Sequence, residues 1–297
     1  MNIQQIMYEL DAMRKKKNSC IAVCAIVGVI FFVLMLANMI SQGIKGTSDN
    51  RVGFSIAMTV VIAVPVLICM YIANDLEKKA KALYKSTLVP MVMSNRLGYV
   101  EYYSQCGFPI QSVKDAGLIA DMGNSYYSED YMRGTYAGVD YRQCDLDIKL
   151  ISQKNKEYQI FKGRAFELDY MGKTVPELVI CTRNYNHYPM LYNGYTVELD
   201  NVEFNNRFKV FTANSKDAFY MLTPQIMEKL LMLGARYAKF GLRFTNNRLY
   251  VAIDGLDSFE LSLDKLVDYN RVMMSFESDV QTIIDLIYVI NCLPKNG

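Results

Sequence analysis

"SCIAVCAIVGVIFFVLMLANMISQ", residues 19–42, carries no charged side chain. A helix rises about 1.5 Å per residue, so Cys20–Ile40 reaches about 31 Å, roughly the thickness of a bilayer's hydrocarbon core. A second uncharged run, "FSIAMTVVIAVPVLICMYIA" over 54–73, has the same reach. A core helix would explain one such run, and a cleaved leader would be shorter and end in a small-residue site. Two runs so close together read as a transmembrane hairpin over 19–73, with spans at 20–40 and 54–73. Residues 1–18 precede it and residues 74–297 follow.

The flanking cations orient the hairpin. Arg14, Lys15, Lys16 and Lys17 abut the first run, and Lys78, Lys79, Lys81 and Lys85 follow the second. The connecting loop has Lys45 and Arg51. The positive-inside rule then places both termini in the cytoplasm of a multi-pass protein of the inner cell membrane. Ile3, Ile6, Met7, Leu10 and Met13 recur at helical spacing, so 1–18 reads as an amphipathic helix. It lies along the inner leaflet, or packs on a partner helix or on the soluble domain. Arg14–Lys17, Lys78 and Lys79 are the candidates for contact with membrane lipids, at about 1 kcal/mol per basic residue near an anionic surface.

Composition limits the function classes. Lys and Arg number 32 against 30 Asp and Glu, so no global field points to nucleic acid. Seven cysteines include no C-x-x-C pair, and three of them, Cys20, Cys24 and Cys69, lie in the apolar runs. A disulfide framework or structural zinc does not follow. Cys20, Cys24 and Gly28 fall at i, i+4 and i+8, a ridge of small side chains suited to close helix packing in lipid. Neither run holds an ionisable acid, base or histidine, which a proton or ion pathway would need. Pro65 frees the carbonyl of Val61 and predicts a kink in the second helix.

Gly172-Lys173-Thr174 looks like the end of a phosphate-binding loop. Such a loop needs a glycine five positions earlier and a helix after it. Glu167 stands at that earlier position, and Val175-Pro176 and another strand follow. Met171–Thr174 therefore reads as a turn between strands. The single histidine, His187, reads as a surface-loop residue, with Cys181 the one thiol close in sequence. Glu129 and Asp130 are adjacent on a strand, where neighbours point to opposite faces, so they make a poor acid–base pair. No cofactor, no metal site and no catalytic residue is expected. The Asn/Tyr-rich 184–195 reads as a solvated loop.

The soluble region reads as α+β. "NDLEKKAKALYKSTLVPMVMS" extends the second helix and breaks near Pro90. Cys144, Leu146, Ile148 and Leu150 alternate with Asp145, Asp147 and Lys149, while Val139 and Tyr141 have the opposite parity, so a bulge near Gln143 is expected. Phe166, Leu168 and Tyr170 share one face of a strand, with Ala165, Glu167 and Asp169 on the other. "ELVIC" over 177–181 reads as a more central strand. Phe240, Leu242 and Phe244 should pair with Leu249, Val251 and Ile253 through a two-residue turn at Asn246-Asn247. Thr223 and Pro224 open a helix with Ile226, Leu230, Leu233 and Tyr237 on one face. Phe276, Val280, Ile283, Ile287 and Ile290 form a C-terminal helical stripe ending before Pro294. The strands make a mostly antiparallel sheet or a partly closed barrel, loosely pleckstrin-homology-like, with the C-terminal helix covering the sheet or plugging the barrel.

Several motifs recur in order. They are Glu129-Asp130-Tyr131 with Gly134, Phe161-Lys162-Gly163 with Phe166, Phe208 with Val210, Leu222-Thr223-Pro224, and Asn247 with Leu249-Tyr250. The series, over roughly 70–293, resembles an uncharacterised bacterial membrane-protein family that joins a two-helix hairpin to a cytoplasmic domain of unknown function. Arg164 stands where that pattern favours an apolar residue. The resemblance carries no catalytic residues, and its members are often found beside LemA-type membrane proteins, which hints at a protein partner. Physically the motif residues specify the fold: Gly134 and Gly163 suit bulges or close backbone approach, and Phe161, Phe166, Phe208 and Tyr250 fill a core. The functional expectation is a membrane-anchored binding or scaffold domain, and no enzyme, that recruits or regulates a protein partner at the inner leaflet. The alternative is a lipid- or small-ligand-sensing domain with a roomy apolar cavity; an enzyme with an unread motif ranks below both.

Overall fold

The computed structural model describes residues 2–44, 50–170, 175–189, 195–245, 247–256, 259–263 and 268–294, with the backbone alone over 38–44 and 50–62. The chain divides into two compact units, Met1–Leu88 with Glu260–Val272, and Val89–Phe259 with Met273–Gly297.

The first unit is built on two long helices, α1 (Ile3–Ile44) and α2 (Asn50–Leu83). The amphipathic segment expected over 1–18 and the first apolar run are one uninterrupted helix. Ile6, Met7 and Leu10 are buried, while Val23, Ile26, Val29, Phe32 and Val33 stand exposed. The helices run antiparallel: Lys17 Nζ meets Glu77 Oε2 at 2.7 Å, and the Cys24 thiol faces the Val66 carbonyl at 3.8 Å. Of the expected ridge of small side chains, Cys24 faces the second helix, whereas Gly28 is exposed and a Cβ there would meet nothing within 4 Å among the described residues. Among the described residues, one helix segment, Ile3–Ala37, is long and apolar enough to cross a membrane. The expected pair of spans is therefore reduced to one candidate. The second run lies in α2, and its side chains over 54–62 fall outside the described residues. α2 continues through Pro65. The break expected near Pro90 comes just before it, as a π turn over Tyr84–Leu88 followed by α3 (Val89–Leu97). Proline lacks an N–H and crowds the carbonyl four residues back, here Ser86, so the wider turn relieves the clash.

The second unit holds a nine-stranded sheet. Its strands are β1 (Val100–Tyr103), β2 (Ser125–Tyr136), β3 (Val139–Ile151), β4 (Glu157–Asp169), β5 (Leu178–Thr182), β6 (Thr196–Val197), β7 (Phe208–Phe211), β8 (Phe240–Phe244) and β9 (Arg248–Asp254). The order is β1-β2-β3-β4-β9-β8-β5-β7-β6, antiparallel at every pairing, and no pairing joins β1 to β6 among the described residues. The sheet is open, which sets aside the barrel. The β8–β9 register is the expected one, Phe240↔Ile253, Leu242↔Val251 and Phe244↔Leu249, and Thr245 N–H donates to Arg248 O to close the loop. Asn246 and the Met171–Thr174 turn lie outside the described residues.

The two faces are covered differently. On the first, Arg164, Phe166 and Leu168 of β4 stand in line with Val251, Leu242 and Ile180 of the neighbouring strands. The C-terminal helix α8 (Tyr269–Asn291) meets this face, with Phe276, Val280, Ile283, Ile287 and Ile290 all buried. On the second face, Val113 of the short helix α4 (Ile110–Ala116), Leu118, Ile119, Met122 and Tyr185 pack on Cys144, Leu146, Ile148, Phe161 and Cys181. Each large apolar side chain so buried contributes about 1.5–3 kcal/mol. Cover on both sides makes β4 buried continuously from Gly163 to Leu168, where the sequence suggests a half-exposed strand. Leu150, expected to face inward, is exposed at the strand end.

Three helices complete the unit: α5 (Val202–Arg207), α6 (Ser215–Met221) and α7 (Pro224–Arg236). Thr223 caps α7 as expected, its hydroxyl accepting from Ile226 N–H at 3.5 Å, and Pro224 takes the first helical position.

Candidate functional site

The long hairpin β2–β3 turns at Ala137 and Gly138, both with positive φ, so Tyr136 faces Val139. Counting back along this register puts Arg133 directly opposite Arg142. The same transverse row continues with Glu101 of β1 on one side, and with Glu167 of β4, Tyr250 of β9 and Arg243 of β8 on the other. Directly opposed residues share a face, so one row of the second face reads Glu, Arg, Arg, Glu, Tyr, Arg. A cleft of about 520 Å³ opens over it, lined by Tyr99, Glu101, Arg133, Arg142, Glu167 and Arg248 among others.

Ion pairs hold this floor. Arg133 Nη2 lies 2.7 Å from Glu101 Oε2, and Arg142 Nη2 lies 2.8 Å from Glu167 Oε1. Arg248 also donates to the nearly buried Glu167, which therefore serves two guanidiniums. The Arg133 guanidinium and the Tyr103 hydroxyl hold the Glu101 carboxyl below its usual range. Further along, Arg243 reaches the Asp115 and Ala116 carbonyls at the end of α4, at 2.9 and 3.2 Å, and pairs with Glu177 at 2.8 Å. Cations at a helix C-terminus complement its dipole. The cleft thus offers fixed charge and guanidinium forks suited to gripping a polar partner group.

A second ionic cluster is buried on the first face. Arg164 is 1% exposed, and its Nε and Nη2 meet the two Asp145 carboxylate oxygens at 2.5 and 3.0 Å. Nη1 lies 3.3 Å from Asp279 Oδ1 of α8, and the guanidinium carbon sits 4.2 Å from the Phe259 ring centre. Burial works against the Arg164 charge, but Asp145 and Asp279 more than offset it and raise its pKa. The polar residue that breaks the apolar motif is thus the tie between β4, β3 and the C-terminal helix.

Asp130 belongs to the same neighbourhood. A bulge separates the pairs Glu129↔Asp145 and Met132↔Gln143, so the extra residue sits on β2, opposite the position near Gln143 where it was expected. Asp130 takes φ 57°, is 2% exposed and accepts a hydrogen bond from the Tyr102 hydroxyl. Burial, reinforced by Asp130, raises the Tyr102 pKa, which keeps the phenol protonated as donor. Backbone N–H groups freed by the bulge go to Ser104 and Cys106 carbonyls at 3.2 and 2.9 Å. The bulge also overturns the expectation that Glu129 and Asp130 diverge, since their carboxylates come within 4.8 Å.

The remaining motif residues are spread through the fold. Tyr131 is half-buried and stacks edge-on against Phe108. Phe161 and Phe166 fill opposite faces. A Cβ on Gly163 would meet Ile253 O at 2.0 Å, and one on Gly134 would meet the Tyr141 hydroxyl at 2.8 Å, so both glycines permit close approach. Of the basic residues, Arg14 and Lys15 pair with Asp11 at 2.8 and 2.9 Å, and Lys79 pairs with Asp75 at 2.7 Å. Lys17 is turned inward onto Glu77. Lys16 and Lys78 are exposed and make no ion pair among the described residues. His187 lies in a loop as expected but is only partly exposed: its Nε2 lies 3.1 Å from Asp254 Oδ2, and its ring packs edge-on against Phe161 and Tyr185. The 184–189 segment helps cover the sheet, with Tyr185 fully buried and its hydroxyl donating to Leu118 O at 3.0 Å. Sequence reasoning missed the arginine row, for which the tight Ala137-Gly138 turn is the available signal.

Residues 159–292 match a family described as "Protein of unknown function (DUF3137)". The match runs from β4 to α8, shorter than the span over which the motifs recur, and includes Arg164, Glu167 and Arg248 but neither Arg133 nor Arg142. No curated protein matches the chain. Among solved structures, the crystal structure of the mycobacterial trehalose monomycolate transport factor A, TtfA, is similar at a TM-score of 0.30 and 11% identity, over 71% of this chain and 99% of that one.

Proposed function

We propose that the chain is a membrane-anchored binding domain that recruits or regulates a protein partner at the inner leaflet. The α1–α2 pair is its multi-pass anchor, with both termini cytoplasmic, and membrane lipids meet Lys16 and Lys78. The observation that carries the binding role is the 520 Å³ charged cleft, whose three arginines are held in place by carboxylates on neighbouring strands. A bacterial LemA-type membrane protein is the first partner to test. A binding role is favoured over nucleophilic catalysis by the two cysteines buried in the sheet. Burial pushes Cys144 up to about 12 and Cys181 higher still, which suppresses the nucleophilic thiolate. The lipid-sensing alternative has less support, because the mostly apolar pocket lined by Val179, Tyr195, Phe211 and Ala213 holds about 230 Å³, less than half the volume of the charged cleft.

The test places a photoreactive residue at Tyr99, exposed at the cleft, in the full chain in native bacterial membranes, with Tyr158 as a distant exposed control. A discrete protein adduct from position 99 and none from 158 is expected. Identical or absent adducts overturn the recruiting role. Release of the chain by alkaline carbonate, or digestion of the sheet domain by protease outside intact cells, overturns the anchor.

A further inference from the structure

Arg133 and Arg142 are direct cross-strand partners, and that placement is unfavourable by itself. Side chains so opposed start about 4.5–5.5 Å apart at Cβ, and like charges there repel. Their carboxylate partners lie on the outer sides, Glu101 on β1 and Glu167 on β4. The row therefore runs negative, positive, positive, negative, with its positive maximum between the two guanidiniums. Arg133 uses Nε and Nη2 on Glu101, and Arg142 presents Nη2 to Glu167. Each guanidinium has five N–H donors. The side chains are 54% and 41% exposed, so further donors remain accessible from the cleft.

We infer that the cleft takes a side-chain carboxylate of its protein partner, an aspartate or a glutamate, between Arg133 and Arg142. This rests on the cleft being the partner-binding surface. A carboxylate is planar, bears a single charge and accepts from two forks at once, which restores strict alternation along the row. A phosphate dianion would add excess negative charge to a cleft that already holds Glu101, Asp140, Glu167 and Asp169. Exposed Tyr99 at the cleft gives the partner segment a surface to pack on.

The experiment uses the full chain in detergent micelles, titrated with a labelled, end-capped hexapeptide whose one charged residue is a glutamate. Inorganic phosphate and phosphatidylglycerol vesicles serve as competitors. Saturable binding is expected, weakened at least tenfold by Arg133→Gln or Arg142→Gln and unchanged by Lys156→Gln on the β3–β4 loop. Arg133→Lys, which keeps the charge and loses the fork, should fall between. The peptide should raise the melting temperature of the wild type and leave the double Gln variant unshifted, a readout that also shows whether the variant folds. Equal binding by wild type and folded double variant overturns the assignment, as does failure of the wild type to bind. Displacement by phosphate or by vesicles at equal anion concentration overturns it in favour of those ligands. If position 99 crosslinks to a protein while the single-glutamate peptide does not bind, this inference falls and the recruiting role stands.

Discussion

The two faces of the sheet use arginine in opposite ways. On the first face Arg164 is sealed among Asp145, Asp279 and Phe259. On the second, Arg133 and Arg142 sit half in solvent, each with one carboxylate. Two carboxylates meet the buried guanidinium, because a desolvated charge must be compensated on several sides. The exposed ones stand side by side because water screens their repulsion, and that leaves donors for a partner. Burial, and not residue type, separates a sealed structural tie from an accessible charged row.

The largest effect should come from breaking the sealed side. Arg164→Met removes the guanidinium from two acids and should destabilise the second unit by about 3–5 kcal/mol. Chemical denaturation of the full chain in detergent, followed by tyrosine fluorescence, measures it; a loss under 1 kcal/mol would show that the cluster is not desolvated. Gly163→Ala probes how tightly β4 lies on β9. Its methyl would meet the Ile253 carbonyl, and the forced shift should cost about 1–3 kcal/mol in the same assay.

Glu77 lies between the extremes. The Lys17 ammonium, helped by Lys81, holds its carboxyl below the usual 4.5. A depressed folded-state pKa gives stabilisation that is present above 4.5 and lost as pH falls through the lowered value. Melting temperature should therefore drop more steeply below pH 4.5 in the wild type than in Glu77→Gln, and parallel pH curves would refute the pairing. The smallest effect is expected at Arg133→Gln, where the melting temperature should not change measurably. A large loss there would mean that the row serves stability as much as recognition.

Much of the fold was legible because its determinants are local. Thr223-Pro224 starts α7 through one side-chain hydrogen bond and one fixed φ. The β8–β9 register follows from a two-residue loop and alternating apolar residues, and the stripe from Phe276 to Ile290 has helical period. Other features depend on segments far apart in sequence. A bulge was expected near Gln143 because Val139 and Tyr141 alternate on the opposite parity from Cys144 and Leu146, but the extra residue lies across from it on β2, where Asp130 adopts positive φ. His187 looked solvated within its polar stretch, yet Asp254, 67 residues away, and Phe161 hold it partly buried. The charged cleft was hidden for a similar reason. Glu101, Arg133, Arg142 and Glu167 form a row only once three strand registers are known.

From its sequence alone this chain determined a long uncharged run near its N-terminus with helical reach, an antiparallel α+β domain and an amphipathic C-terminal helix. Periodicity and chain-local capping encode those features, and they need no distant contact. Which face each strand buries, where Arg164 finds its acids and which arginines stand opposed were decided by tertiary structure. Each depends on the register between strands and on which helix covers which face. Those are long-range pairings, whose free energy appears only when the whole sheet has formed.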